Sequence, residues 1–290
     1  MWRLKSRYAY NSAICGIIVI TTIFSNYYFC KTLSILQTQQ DKSPTPVAYI
    51  ITVPGHDERV PSVVDNFKKY ANIDLRRFDG IRFSHQHHEK NKSLKLGEQS
   101  LRATMTMFYS MLVRENYEKV FVFEDDAIPH RNFTALFREL PRRCLEADVL
   151  LLGATIWHRK HTDWPSGACF DASSETFGAF ALLLKRVSYR PILQWLQAGP
   201  SQPYDHVYRH LQRKKLSVRV AFPPFLVIAD ISHPSLVDNN RVNIQFDVNK
   251  RAEVHLWHLK DYPMIRIPTQ TKKINASEAK LFKNKVNTHT

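Results

Sequence analysis

The most informative stretch of the chain is Val120-Phe121-Val122-Phe123-Glu124-Asp125-Asp126, where a wholly apolar run meets three consecutive carboxylates. A short apolar run of this kind is typical of a central strand that is covered on both faces. In open α/β sheets, ligands bind outside the carboxyl ends of the strands. The acidic triplet Glu124-Asp125-Asp126 therefore predicts a ligand site at the end of this strand.

On either side of this strand the chain alternates between strand patterns and helix patterns. Strand patterns lie at residues 47–53, 73–78, 149–153 and 177–184, with further strand-like pieces within 218–228. Helix patterns lie at residues 60–70, 98–115, 132–145 and 187–196, and a last one begins near Tyr204 after Pro203. Such alternation predicts an α/β sandwich with a largely parallel sheet.

Composition narrows the classes of protein. The chain has 290 residues with 41 basic and 26 acidic side chains, a net charge of +15, which favours anionic partners such as a nucleotide diphosphate, an acidic lipid or a nucleic acid. There are only 8 glycines. No phosphate loop of the G-x-x-x-x-G-K-[ST] type and no G-x-G-x-x-G occurs, which argues against P-loop and Rossmann dinucleotide proteins.

The N-terminal region predicts a membrane anchor. Residues 8–30 carry no charge, and a run of about 20 such residues is long enough to span a bilayer. Arg3, Lys5 and Arg7 precede the run, so the positive-inside rule leaves residues 1–7 in the cytosol. A cleaved signal peptide or a buried helix remains the alternative. We expect a single-pass type II protein of the Golgi or endoplasmic reticulum membrane, with the rest of the chain in the lumen.

The rest of the chain divides by composition. We expect a polar stem at residues 31–46, one large domain at 47–268 and a basic C-terminal tail at 269–290. Cys144 and Cys169 lie in the predicted domain and would either form one disulfide in an oxidising lumen or remain free thiols.

The acidic triplet has a specific chemical meaning. Adjacent carboxylates repel each other, so the cluster is costly unless a cation neutralises it. Carboxylate oxygens suit Mg²⁺ or Mn²⁺, which in turn bind phosphate oxygens. The alternative is a solvated turn at the strand end. We favour a metal and diphosphate site.

Seven short motifs follow one another in an order that matches a known family. They are Tyr49-Ile50-Ile51 with Arg59, Phe78-Asp79-Gly80, Leu96-Gly97-Glu98, Val122-Phe123-Glu124-Asp125-Asp126, Asp148-Val149-Leu150-Leu151-Leu152-Gly153, Thr176-Phe177-Gly178-Ala179-Phe180 and Gln202-Pro203-Tyr204-Asp205. In this order they resemble glycosyltransferase family 25, which includes bacterial lipooligosaccharide galactosyltransferases and animal collagen galactosyltransferases. The chain departs from the family after Glu98, where Gly-Cys and then Ser-His are usual and this sequence has Gln99-Ser100 and then Thr104-Met105. The departure indicates a divergent member.

The resemblance implies a GT-A-type fold and an inverting transfer of a sugar. The sugar, galactose by the resemblance, would pass from a UDP-sugar donor to a hydroxyl of a glycan, glycolipid or glycoprotein acceptor. Asp126 would bind Mn²⁺ or Mg²⁺ directly, with Glu124 and Asp125 supporting the metal and the donor. Asp205 would be the general base, or would alternatively cap a helix N-terminus.

Further residues are candidates, each with a structural alternative. Arg59 would contact a phosphate or the ribose, or would lie in a solvated loop. Asp79 would bind the ribose, or would only hold a turn with Gly80. His233 would be a second metal ligand or contact the diphosphate, or would be a surface residue. Tyr204 would stack on an acceptor sugar, or would pack in the core.

Two other functions compete with this interpretation. A lumenal glycan-binding or scaffolding protein that kept the fold but lost turnover would fit the departure after Glu98, although the intact acidic triplet speaks against it. A nucleic-acid-binding protein would fit the positive charge, but no recognisable nucleic-acid module occurs. We therefore expect no nucleic acid partner.

Overall fold

The computed structural model describes residues 46–54, 58–83, 94–156, 169–173, 176–198, 202–222, 224–230 and 256–263. The predicted anchor at 8–30, the basic tail at 269–290 and His233 lie outside these residues. Among the described residues, no helix combines the length and the apolar character that crossing a membrane requires.

The described chain contains eleven strands and six α-helices. The strands are β1 (Val47–Thr52), β2 (Leu75–Asp79), β3 (Lys119–Glu124), β4 (Ala127–Pro129), β5 (Val149–Leu151), β6 (Thr155–Ile156), β7 (Cys169–Asp171), β8 (Thr176–Phe177), β9 (Ala181–Lys185), β10 (Val218–Ala221) and β11 (Val227–Ala229). The helices are α1 (Val60–Asn66), α2 (Leu96–Glu115), α3 (Phe133–Arg138), α4 (Arg142–Leu145), α5 (Arg186–Gln197) and α6 (Val207–Arg213). Shorter helical turns lie at Phe67–Ala71, Tyr204–His206 and Leu259–Asp261.

Seven strands form one mixed sheet in the order β2-β1-β3-β9-β5-β10-β7. Strands β2, β1, β3, β5 and β10 run in one direction, whereas β9 and β7 run against them. The prediction of an α/β fold with a largely parallel sheet is therefore confirmed. The pairs β4–β11 and β6–β8 are antiparallel and lie outside this sheet.

Strand β3 is central and is covered on both faces, as its apolar run predicts. Phe123 packs on Phe67, which follows α1, and Phe121 packs on Phe137 of α3. On the opposite face Tyr49, the register partner of Val122, packs edge-on against Phe108 of α2. Helices therefore enclose the strand that leads into the acidic triplet.

Two predicted elements are interrupted. The helix expected at 132–145 is divided into α3 and α4, because Pro141 has non-helical backbone angles and disfavours helical geometry at the residue before it. The strand expected at 177–184 is divided into β8 and β9 by residues 178–180. Gly178 has a φ of +102°, which lies far from the extended backbone of the strands on either side.

A disulfide joins Cys144 of α4 to Cys169 of β7, with Cα atoms 6.0 Å apart. It fastens a short helix to the edge strand of the sheet. Of the two states that the sequence left open, the structure has the bridged one.

Candidate active site

Polar residues from neighbouring strands meet at the carboxyl edge of the sheet. Thr52 at the end of β1 lies beside Asp79 at the end of β2, and Ile51 of β1 lies beside Glu124 at the end of β3. Asp125 and Asp126 follow directly in the turn to β4. The structure therefore places the acidic triplet where ligands bind in sheets of this kind.

Asp125 is held by a neighbouring strand. Its carboxylate atom Oδ2 accepts a hydrogen bond of 3.0 Å from the hydroxyl of Thr52, and both residues are buried. This bond directs the Asp125 side chain towards β1. Within the triplet, the side chain of Asp125 is therefore held by a residue of a neighbouring strand.

Asp126 has a carboxylate oxygen that the described residues leave unsatisfied. Its Oδ1 is buried and has no hydrogen-bond partner among the described residues. Burial raises the pKa of Asp126 to about 7, and the nearby carboxylates of Asp125 and Asp230 raise it as well, while Arg59 acts in the opposite direction. A buried carboxylate oxygen without a partner is a group that a cation or a proton must satisfy.

Glu124 belongs to the same electrostatic cluster. Burial is the first cause that raises its pKa well above the ordinary value, followed by the charges of Asp126, Asp125 and Asp205. The influence of Asp205 is informative, because that residue belongs to a different motif much further along the chain. The fold thus brings two motifs that are distant in sequence into one charged site.

Asp205 lies in the helical turn Tyr204–His206, which follows Pro203. Its carboxylate accepts hydrogen bonds from the backbone N–H of Gly178 and from its own N–H. Burial raises its pKa, whereas the neighbouring His206 lowers it. The bond to Gly178 is a tertiary contact, so Asp205 is held by another element of the fold as well as by its own turn.

Arg59 is buried at 5% exposure, immediately before α1. Its positive charge lowers the pKa of Asp126, so the guanidinium lies close to the acidic triplet. This burial rules out the alternative of a solvated loop arginine. Arg59 is the cationic member of the site.

Asp79 reaches the edge of the sheet, but its carboxylate is exposed and is paired with Nε of Arg77 at 2.6 Å. The next residue, Gly80, donates its N–H to the carbonyl oxygen of Thr52 at 2.7 Å. A Cβ atom at Gly80 would lie 2.7 Å from Oγ1 of Thr104, so this position needs glycine. Gly80 therefore has a turn role, whereas the side chain of Asp79 is engaged by Arg77.

Tyr204 is a core residue. It is 2% exposed and its hydroxyl lies 2.6 Å from that of Tyr109 in α2. Of its two predicted roles, the structure has the core one, because a buried ring presents no face to a ligand. Its packing anchors the turn that carries Asp205.

Asp230 is a member of the site that sequence reasoning missed. Its backbone N–H donates to the carbonyl oxygen of Asp126 at 2.7 Å, and its charge raises the pKa of Asp126. The residue directly follows β11, which pairs with β4. A signal was present, since Asp230 ends an apolar run from Phe225 just as the triplet ends the run from Val120.

The cluster fits a cation of the Mg²⁺ or Mn²⁺ type. Among the described residues, no three His, Cys, Asp or Glu side chains form a ready ligand set for a metal. Mg²⁺ commonly uses only one or two carboxylates together with water and substrate phosphates. The unpartnered Oδ1 of Asp126 suits this arrangement. His233, the predicted second ligand, lies outside the described residues.

Comparisons with known proteins give distant structural similarities only. The chain matches no protein-family model, and no curated protein matches it. It is similar to the solved structure of mannose-1-phosphate geranyltransferase from Thermus thermophilus, with 11% identity over 64% of this chain and 75% of that one and a TM-score of 0.34. It is also similar to a glycosyltransferase involved in the glycosylation of the major capsid of PBCV-1, with 7% identity over 62% and 78% and a TM-score of 0.35. A third similarity is to 4-diphosphocytidyl-2C-methyl-D-erythritol synthase from Anaerococcus prevotii, with 9% identity over 65% and 94% and a TM-score of 0.36.

The first two of these proteins are transferases by name. TM-scores of this size do not identify a function for the present chain. The functional assignment therefore rests on the geometry of the acidic cluster.

Proposed function

We propose that this protein is a metal-dependent, inverting glycosyltransferase that transfers galactose from UDP-galactose to a hydroxyl of a glycan, glycolipid or glycoprotein. One observation carries the proposal. A buried and unpartnered carboxylate oxygen of Asp126 stands at the carboxyl edge of a mixed α/β sheet, in one electrostatic cluster with Glu124 and Asp205. The ordered motifs further favour a divergent member of glycosyltransferase family 25 with a GT-A-type fold.

The excess of negative charge suits a cation, which can in turn bind the diphosphate of a donor. The charges of Asp125 and Asp230 both raise the pKa of Asp126, whereas the charge of Arg59 lowers it. Asp126 would hold Mn²⁺ or Mg²⁺, with Glu124 supporting it and Asp125 fixed by Thr52. When bound, such a cation offsets charge on the departing diphosphate as a Lewis acid.

Asp205 would serve as the general base. In this step its carboxylate takes the proton of the acceptor hydroxyl, and the acceptor oxygen forms a bond to the anomeric carbon. The bond from that carbon to the diphosphate oxygen breaks at the same time, and UDP leaves with the electron pair. Burial raises the pKa of Asp205, which makes its carboxylate a better proton acceptor.

The disulfide supports a location in the secretory pathway. A bridge between Cys144 and Cys169 persists in oxidising compartments and is rare in the cytosol. It agrees with the predicted type II anchor at residues 8–30 and a catalytic domain in the lumen of the Golgi or endoplasmic reticulum.

A non-catalytic glycan-binding protein is the second candidate, and one observation favours it. Where family 25 has Ser-His, this chain has Thr104 and Met105. Met105 is fully buried, and the hydroxyl of Thr104 accepts the backbone N–H of Ile81 at 2.8 Å. Both side chains thus have structural roles at the positions where family 25 has the polar residues Ser and His.

Release of UDP separates the two candidates. The full-length protein, purified in mild detergent, is incubated with a panel of UDP-sugars, with Mn²⁺, with Mg²⁺ or with EDTA. We expect metal-dependent release of UDP from UDP-galactose that D126N abolishes. D74N is the matched control, because Asp74 is an exposed carboxylate paired with Lys68 on the surface. A folded wild-type protein that binds glycans but releases no UDP from any donor would establish the second candidate.

A further inference from the structure

A three-residue segment, Gly178 to Phe180, connects the two halves of the site; we refer to it as the bridging segment. The carbonyl oxygen of Phe180 accepts the backbone N–H of Glu124 at 2.9 Å. The backbone N–H of Gly178 donates to the carboxylate of Asp205. The distance between the acidic triplet and Asp205 consequently depends on the conformation of this segment.

The conformation of the bridging segment is one that few residues adopt. Gly178 has a φ of +102°, and a Cβ atom there would lie 2.7 Å from Cε1 of Phe180. Glycine permits this geometry but does not select it, because glycine populates both signs of φ with similar ease. Another group must therefore fix the orientation of the Gly178 peptide groups.

Tyr208 supplies that group. Its hydroxyl donates a hydrogen bond of 2.9 Å to the carbonyl oxygen of Gly178. Tyr208 lies on α6, three residues after Asp205, and is 2% exposed. One short helical stretch thus presents both the carboxylate that accepts from Gly178 and the hydroxyl that donates to it.

We propose that Tyr208 is a positioning residue, which orients the Asp205 carboxylate by locking Gly178 between two hydrogen bonds. The proposal rests on the proposed function, in which Asp205 is the general base. Tyr208 itself moves no proton in the reaction, because its hydroxyl donates to Gly178. Consistent with this, burial raises the pKa of Tyr208 well above its ordinary value, so the phenol keeps its proton at working pH.

The chain offers a matched control in Tyr189. This residue of α5 is 1% exposed, and its hydroxyl is buried without a hydrogen-bond partner among the described residues. Y189F and Y208F remove the same atom from equally buried rings. Only Y208F removes a hydrogen bond to the bridging segment.

The test compares UDP release from UDP-galactose with Mn²⁺ by the full-length wild type, Y208F, Y189F, D205N and the double variant D205N/Y208F. We expect Y208F to lower kcat by about tenfold or more, with KM for UDP-galactose changed by less than about twofold, since displacement of a reacting group affects the chemical step. Y189F should keep the kcat of the wild type. In the D205N background, Y208F should cause no further loss. Equal kcat values for Y208F and Y189F, or an effect on KM alone, would overturn the proposal.

A second measurement is independent of turnover. Urea unfolding of the same variants gives the change in the unfolding equilibrium constant that Y208F causes with and without the Asp205 carboxylate. We expect the two changes to differ by about threefold or more, as for residues that share one hydrogen-bond network. Identical changes would refute the role of Tyr208. If the wild type releases no UDP from any donor, the proposed function fails, and this cycle alone decides whether Tyr208 and Asp205 are coupled through Gly178.

Discussion

Replacing Asp126 with asparagine should stabilise the metal-free protein at neutral and alkaline pH. The substitution keeps the shape of the side chain but removes a charge from a cluster of buried carboxylates. In the folded state, burial and neighbouring charges raise the pKa of Asp126 from 3.8 to about 7. The folded wild type therefore holds a proton more tightly than the unfolded chain does.

The size of the effect follows from this difference in pKa. One pKa unit corresponds to about 1.4 kcal/mol, so a shift of about 3 units corresponds to about 4 kcal/mol. Because the folded pKa is the higher one, this stability is fully present below pH 3.8 and is lost as the pH rises through about 7. The advantage of D126N over the wild type should accordingly grow by about 4 kcal/mol between about pH 4 and about pH 8.

Thermal unfolding in EDTA measures this advantage. For a domain of this size, about 4 kcal/mol corresponds to a rise in Tm of about 8–16 °C for D126N at pH 8. D74N, the exposed control, should follow the wild type at every pH. Addition of Mn²⁺ should raise the Tm of the wild type and leave D126N unchanged, since a ligand stabilises only the state that binds it. An advantage of D126N that does not change with pH would refute the electrostatic reasoning.

Two further substitutions test separate parts of the structure. T52V removes the hydroxyl that donates to the buried carboxylate of Asp125, and it should lower the unfolding free energy by about 1–3 kcal/mol, while T52S keeps the hydroxyl and most of the stability. Equal urea midpoints for the two variants would contradict a role for this bond. Replacing Cys144 and Cys169 with serine opens a loop with a sequence separation of 25 and should cost about 3.5 kcal/mol in urea unfolding without reductant. With reductant the wild type should approach the variant; a bridge that contributes nothing would leave the two curves superimposed under both conditions.

Local sequence patterns predicted the strand that carries the acidic triplet and the class of fold. Val120 to Phe123 are apolar and are followed by charge, and this contrast depends on nearest neighbours alone. Pro141 interrupts the predicted helix and Gly178 the predicted strand, and both residue types commonly interrupt such elements. Their effects on helix and strand depend on the geometry that the surrounding fold allows.

The remaining parts of the site depend on contacts between distant segments. The burial of Arg59 follows from the placement of α1 against the carboxyl edge, which no local pattern encodes. Asp230 reaches Asp126 only because β11 pairs with β4. The hydroxyl of Thr52 gains its role from the parallel pairing of β1 with β3. The positions of these three residues relative to the acidic triplet therefore depend on tertiary structure.

The reversed direction of β9 has a consequence for the evolution of selectivity. Since β9 runs against β3, it enters the sheet at the edge where β3 leaves it, with Ala181 beside Phe123. The chain that precedes β9 therefore reaches the sheet at the edge that carries the acidic triplet. A strand parallel to β3 would instead begin at the opposite edge of the sheet, after a helical crossover. Insertions and deletions before β9 can consequently change which ligands fit at this edge, while the lengths of the helical crossovers stay the same.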